Sequence, residues 1–305
     1  MSRQGSDIAS LAERRLILVT GKGGVGKSAV AATLGRLLAA RGRRTLVIEL
    51  DPRESLHQMF DSPPSGGAIR KIRPDLYLQN LQPRQVLDRI VSQQVKIEWL
   101  AQRVQRSPVY DHFTAGAPGL KELAVLGHSL QLIRGSVDGA PKLDTVVIDA
   151  PATGHGVSLL AAPQLVADVI QEGPFGRMTG EVAEFVGDHQ QCGVVVVTLA
   201  EEMPVTEALE LQRVMAEALD RRPELLVVNA LYPPFAEDGE ALDPVADESG
   251  VLWRDRRRVN EAEMERLEGA WDGWSLRLPL LPLDRGPALI AALMGHFEAT
   301  VGERI

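Results

Sequence analysis

The 305 residues contain a single cysteine, Cys192. One thiol excludes an intrachain disulfide framework and any Cys-x-x-Cys metal or redox site within one chain. Basic residues are also in deficit: 33 Lys and Arg stand against 41 Asp and Glu, giving a net charge of −8 and a pI near 5.4. That balance argues against a general nucleic-acid binder, whose domain normally carries a basic footprint. No uninterrupted apolar run approaches the length of a bilayer-spanning helix. Residues 1–14 carry charges and lack the apolar centre of a secretory signal. Internal repeats and low-complexity segments are missing too. These absences lead to the expectation of a cytoplasmic protein, long enough for one large α/β domain or such a domain with a helical insertion.

The informative residues begin early. Gly21-Lys22-Gly23-Gly24-Val25-Gly26-Lys27-Ser28 fits G-x-x-x-x-G-K-[ST]. The run Leu16-Ile17-Leu18-Val19-Thr20 leads in and the helix-prone Ala29-Val30-Ala31-Ala32-Thr33-Leu34 leads out, the strand–loop–helix setting that the motif needs. Glycines let consecutive backbone N–H groups turn inward as an anion nest, and the following helix adds its positive N-terminal end. The pattern predicts a nucleoside triphosphate cradled by Gly21, Gly23, Gly24, Val25, Gly26 and Ala29. Lys27 would reach the outer phosphates and the Ser28 hydroxyl would hold Mg²⁺. Lys22 is not required by a plain phosphate loop. A lysine pointing away from its own nucleotide serves when a second subunit faces the loop, as a trans-acting arginine finger does. The bland alternative is a solvated surface lysine.

Farther along, buried strands alternate with helices, which predicts a mostly parallel sheet covered on both faces in three layers. Strands are expected near 15–20, 45–50, 146–149, 194–198, 225–229 and 276–279, and helices from the loop to Arg41, at 206–219 and at 287–301. Ser62–Gly67 reads as a turn-rich linker. Between 84 and 106, Leu87, Ile90, Val91, Val95 and Leu100 fall near one helical face, and further helical runs cover 120–133 and 156–190. The stretch 236–272 is charged and helical, with Arg254, Arg256, Arg257 and Arg258 as a solvated face. The organisation predicted is one domain over 1–305, a helical subdomain from about 84–135 and 156–190, and an N-terminal arm over 1–14.

Acidic residues close two of these strands, at the edge where open α/β sheets bind ligands. Asp51 follows the second strand, where a carboxylate would accept a proton from, or orient, an attacking water; Asp-Pro is also a good helix start. Asp149 ends the Val146–Ile148 strand and is placed to hold the water shell of Mg²⁺. After it, Asp149–Gly156 forms a loop suited to sensing a γ-phosphate, with Gly154 and Gly156 giving freedom to rearrange. His155 within it reads as a structural or coupling residue.

Taken in order, these residues resemble a known family. Gly21–Ser28 looks like the deviant Walker A motif, with Lys22 as its signature lysine. Asp51-Pro52-Arg53-Glu54-Ser55-Leu56 resembles the first switch, D-P-x-x-S-L, and Asp149 to His155 resembles the second, D-x-x-x-T-G-H. Ala117–Glu122 is similar to the P-G-x-x-E segment between them. Val228-Asn229 resembles the adenine-reading asparagine at a strand end, and Pro279–Gly286 looks like the adenine loop, P-L-x-P-x-E-x-x-G, shortened by one residue. The loop alone fits MinD/ParA relatives equally well; the T-G-H and the adenine loop decide against them. Over about 15–300 the chain is identified as a member of the ArsA family, the arsenical pump-driving ATPases and the GET-pathway ATPases that target tail-anchored proteins.

That resemblance implies a P-loop ATPase using ATP and Mg²⁺ in a nucleotide-sandwich dimer, either a homodimer or a heterodimer with a paralogue. It implies Lys22 reaching the opposite ATP, Asp51 positioning the hydrolytic water, Asp149 supporting Mg²⁺ through water, and Asn229 with the Pro282 region cradling adenine. The chain departs from the family in lacking the interface Cys-x-x-Cys pair, the arsenite-binding cysteines and a second ATPase half, which argues against gating by soft thiolates. Leu159, Leu160, Val166, Val169, Ile170, Phe175, Met178 and Phe185 would form either core or a client groove. The expectation is a switch that captures and releases a protein client, with a hydrophobic or membrane-protein segment as the candidate. A scaffold-docking spatial organiser is the alternative, and an arsenite-pump energiser ranks last.

Overall fold

Leu16–Thr20 (β1) is buried along its whole length, as a central strand of a sheet covered on both faces has to be. A computed structural model describes residues 8–51, 53–94, 98–151, 155–167, 172–234 and 248–302. In it β1 lies in an eight-stranded sheet of order β3-β4-β2-β5-β1-β6-β7-β8. The other strands are β2 (Thr45–Glu49), β3 (Arg70–Arg73), β4 (Leu76–Asn80), β5 (Thr145–Asp149), β6 (Cys192–Leu199), β7 (Leu225–Leu231) and β8 (Trp274–Pro279). Every pairing is parallel except the outermost, where β3 runs antiparallel to β4.

Alternate residues of the strands feed two cores. Ile17, Val19, Val47, Val147, Val195 and Val227 face α2 (Lys27–Ala40) and α11 (Pro287–Gly302). Leu16, Leu18, Ile48, Ile148, Val196 and Val228 face the opposite layer. That layer holds α3 (Pro83–Gln94), α6 (Leu120–Arg134), α7 (His155–Ala167), α8 (Gly173–Gly187), α9 (Glu202–Leu219) and α10 (Glu248–Ala270). Each fully buried Leu, Ile or Val contributes about 1.5–3 kcal/mol, so the three layers are held mainly by these two apolar sets. Two short helices follow, α4 (Glu98–Gln105) packed on α3 and α5 (Pro108–Gly116) packed on α4. Ahead of β1, α1 (Ile8–Glu13) buries Leu11. Among the described residues, no helix is long and apolar enough to cross a membrane.

The sequence expectation misses β3 and β4. Arg-Lys-Ile-Arg in β3 is almost wholly exposed, and the buried strand beside it ends in Gln79 and Asn80, so neither shows the apolar run that marks the other strands. Of the apolar helix positions, Leu87, Leu159, Leu160, Val166 and Phe185 are core residues. Val95, Val169, Ile170 and the acidic part of 236–272 up to 247 lie outside the described residues.

Among the described polar residues buried in the helical layer, one is of a type that titrates within the physiological range. His128 on α6 is 1% exposed. Its Nε2 faces Gln79 Oε1 at 3.3 Å and its Nδ1 faces the Arg89 guanidinium of α3 at 3.4 Å. Burial, with the Arg89 charge adding to it, pushes its pKa down to about 4. Between that value and the unfolded value near 6.5, the unfolded chain binds more protons than the folded one, so stability falls as pH falls through this window. The full loss reaches about 3 kcal/mol at about 1.4 kcal/mol per pKa unit. Thermal unfolding measured from pH 7.5 to 4.5 should show this acid slope, and a His128→Gln chain should lose this share of it whatever its own stability at pH 7.5.

Candidate functional site

Parallel register brings the chemistry to one edge. Val19 of β1 and Glu49 of β2 both pair with Asp149, the last residue of β5. On the other side of β1, Asn229 pairs with Leu199. The loop from Gly21 to Gly26 therefore leaves β1 beside Asp149 at the end of β5, with Asn229 two strands away on β7, beyond β6.

The loop's shape depends on missing side chains. Gly21 has φ of +140° and lies so close to β6 that a Cβ would overlap the Val197 carbonyl oxygen. Gly26 caps α2 at φ of +95°, and a Cβ there would strike the Asn229 side chain. Asn229 Nδ2 donates to the Val25 carbonyl at 2.9 Å, so the expected adenine-reading residue touches the loop directly. Gly23 and Gly24 are exposed, whereas Val25 and Ala29 are buried. The loop thus presents backbone on its outside and anchors through apolar side chains beneath.

The two lysines part company. Lys27 is 7% exposed and its Nζ donates to the Lys22 carbonyl at 2.7 Å, closing the loop on itself. Burial lowers its pKa, against the opposing pull of the Asp149 charge. Lys22 turns the other way, to Glu207 Oε1 on α9 at 2.6 Å.

Ser28 Oγ donates to Asp149 Oδ2 at 2.6 Å. Asp149 Oδ1 is buried with no partner among the described residues. Burial pushes the Asp149 pKa up to about 6; the Ser28 hydrogen bond and the Lys27 charge pull it down, and Glu49 and Asp51 push it up. A hydroxyl and a buried carboxylate with a spare oxygen are the hard donors that Mg²⁺ favours, so these residues fit the ion.

Asp51 lies beyond β2 and is exposed. Its Oδ1 accepts the Arg53 N–H at 2.9 Å. Glu49, which the sequence reading treats only as a strand end, organises this segment. At 1% exposure its carboxylate accepts the Ser55 N–H at 2.7 Å, the Ser55 hydroxyl at 2.9 Å and the Leu56 N–H at 3.0 Å. The Asp-Pro-x-x-Ser-Leu spacing could have pointed to a buried acceptor, since Ser55 and Leu56 need one. Glu207 gave no local signal, because it lies 185 residues from Lys22.

On the second-switch side, Gly156 abuts β1 so closely that a Cβ would collide with Thr20. Ala152, Thr153 and Gly154 lie outside the described residues. Pro282 is exposed, and its segment is tied to β7 by the Leu280 N–H donating to the Leu231 carbonyl at 2.7 Å. Asn229 and the 279–282 segment thus share one end of the edge, with the phosphate loop, Asp149 and Asp51 on its other side.

The chain is similar to known proteins over much of its length. Residues 14–177 match the family model of the anion-transporting ATPases. Over 236 residues the chain is 31% identical to the ATPase BagA of Mycobacterium tuberculosis, covering 73% of this chain and 67% of that protein. It is 28% identical over 176 residues to the ATPase GET3C of Arabidopsis thaliana, 52% of this chain and 44% of the relative. An arsenical pump-driving ATPase of Acidiphilium multivorum is 24% identical over 246 residues, 74% of this chain and 41% of the relative. The chain thus spans less than half the length of the last two.

Glu49 supplies the test of this site's construction. Glu49→Ala leaves the buried Leu56 N–H and its Ser55 neighbours without their acceptor. The variant should lose about 2–4 kcal/mol of stability in urea unfolding, the cost of orphaned buried donors.

Proposed function

Since this chain belongs to the anion-transporting ATPase family, of the ArsA type, and hydrolyses ATP, we propose that it works as a dimeric switch that closes on ATP and opens after hydrolysis. The observation that carries this reading is the position of Lys22. Its Nζ is held by Glu207 and not by its own phosphate loop, while Lys27 alone serves the loop interior. Both groups of the Lys22–Glu207 pair are about one-third or more exposed, and such pairs are worth only about 0–1 kcal/mol. The pair is cheap to break when a second copy presents its ATP.

In this reading the phosphates lie in the Gly21–Ala29 loop, held by backbone N–H groups and the α2 N-terminus. Lys27 exchanges the Lys22 carbonyl for outer phosphate oxygens. Ser28 and Asp149 would hold Mg²⁺, Asp149 through water. The ion, when bound, neutralises charge on the β- and γ-phosphate oxygens. Asp51 orients the attacking water with the carboxylate oxygen that Arg53 does not engage. Water attacks the γ-phosphorus in line, the bond to the bridging oxygen breaks, and ADP and phosphate leave. Lys22 from the opposite copy steadies the charge of the transferred group. Asn229 and the Pro282 segment hold adenine.

The ATP state captures a protein client bearing an apolar segment. Supporting this, Trp99 on α4 is 64% exposed and Leu165 on α7 is 47% exposed. Arsenical relatives are less apt as a guide to the cargo. Cys192 is fully buried in β6, and burial pushes its thiol up to about 11, so it offers no thiolate to a soft metalloid.

Steady-state ATPase assays with sizing by light scattering test the switch. Lys22→Ala should lower turnover by roughly 10³-fold, the scale of a trans-acting finger, while ATP still binds. Asp51→Asn should be inactive and accumulate as a dimer with ATP and Mg²⁺. A Lys22→Ala protein that hydrolyses ATP as fast as wild type would sink the dimeric reading.

A further inference from the structure

Asn80 is the last residue of β4, 4% exposed and 29 residues from Asp51. Its Nδ2 donates to the Asp51 carbonyl at 2.6 Å, and its own N–H donates to Ser65 Oγ at 2.8 Å. The Ser65 N–H donates to Glu54 Oε1, which also accepts the Gly66 N–H at 3.2 Å. The Glu54 N–H then returns to the Asp51 carbonyl at 3.2 Å. Four residues from three separate stretches of chain close a ring of hydrogen bonds on one peptide oxygen.

The ring explains a local oddity. Glu54 adopts φ of +42°, a conformation that costs a non-glycine residue about 1–3 kcal/mol and persists only where surroundings over-determine it. The ring and the Glu49 carboxylate supply that surplus from opposite sides. Asp51 is thereby fixed through its backbone, while its carboxylate remains exposed. The anchor is firm, because the neighbouring Gln79 is itself tied to the Gly67 carbonyl at 3.0 Å and to His128.

We propose that Asn80 is a positioning residue for ATP hydrolysis: by holding the Asp51 carbonyl it sets the carboxylate on the line from which water attacks. The inference rests on the reading of Asp51 given above. A misplacement of about 1 Å in a reacting group costs up to about 100-fold in rate, whereas among the described residues the Asn80 side chain and N–H donate to Asp51 and Ser65 and to no group of the phosphate loop.

The test uses the full chain with Mg²⁺ and ATP, and compares Asn80→Ala, Asn80→Asp and Asp51→Asn. Asn80→Asp has the same shape but donates a hydrogen bond only when protonated. At pH 8 both Asn80 variants should turn over at least about 10-fold more slowly at saturating ATP, with half-saturation within about twofold of wild type. As the pH is lowered to 6, turnover of Asn80→Asp should recover relative to wild type, groups common to both cancelling in the ratio, while Asn80→Ala stays low. If Asn80→Ala does not fold, Asn80→Asp carries the test. Wild-type turnover in both Asn80 variants beside an inactive Asp51→Asn overturns this inference alone. An active Asp51→Asn removes the reading of Asp51, and the inference with it. Loss of ATP binding in step with turnover makes Asn80 structural and overturns the inference.

Discussion

The hydrogen bond from Ser28 to Asp149 joins the first turn of α2 to the end of β5, and the other parts of the site take their places around it. It forms only because β5 lies beside β1 in register, with Val19 level with Asp149. The same register sets Glu49 level with Asp149 from the other side. A parallel sheet gives all its strand ends one direction, so Asp149 joins the phosphate loop and the Glu49–Asp51 pair at one edge although about a hundred residues separate it from either. Burial weighs most against the ionised Asp149, with Glu49 and Asp51 adding to it, while the Ser28 hydrogen bond and the Lys27 charge favour it.

Burial of so much polarity is tolerated because each group has work to do. Glu49 satisfies the backbone that follows Asp51, and Lys27 satisfies the loop. Elsewhere the sheet uses the same device. Arg221 and Glu224 are 4% and 6% exposed and bond each other at 3.1 Å. Arg221 also bonds the Val186 carbonyl at 2.6 Å. Removing one member of such a pair costs about 3–5 kcal/mol, which explains why charged residues persist inside layers that are otherwise apolar. The spare oxygen of Asp149 is the exception on the site's side, and it sits where a cation is expected.

What the sequence made legible was short in range. The loop from Gly21 to Ser28, the apolar strands on either side of it and the carboxylate at Asp149 are each read within about ten residues, where periodicity and motif spacing carry information. The missed strands are those whose residues break the apolar pattern. β3 is Arg-Lys-Ile-Arg, and β4 ends in two amides that face neither core but the turn beyond Asp51 and the helix carrying His128. Glu207, Asn80 and Ser65 were illegible for a different reason. Their partners lie 185, 29 and 11 residues away, and no local preference distinguishes a residue that will meet such a partner from an ordinary polar one. Glu49 lies between these cases, since its partners are six and seven residues on and only one of them, the Ser55 hydroxyl, is a side-chain donor.

The polar strand β3 has a further meaning at the level of association. A sheet that stops at an edge leaves a row of unpaired amides and carbonyls, a template for another chain's strand. Here the outermost strand turns antiparallel, is only four residues long, and shows Arg70, Lys71 and Arg73 to solvent. Two copies approaching through this edge would bring like charges together along the whole line of contact. Brevity and repulsion guard that side against lateral fusion into fibres, at no cost to the buried strands behind it.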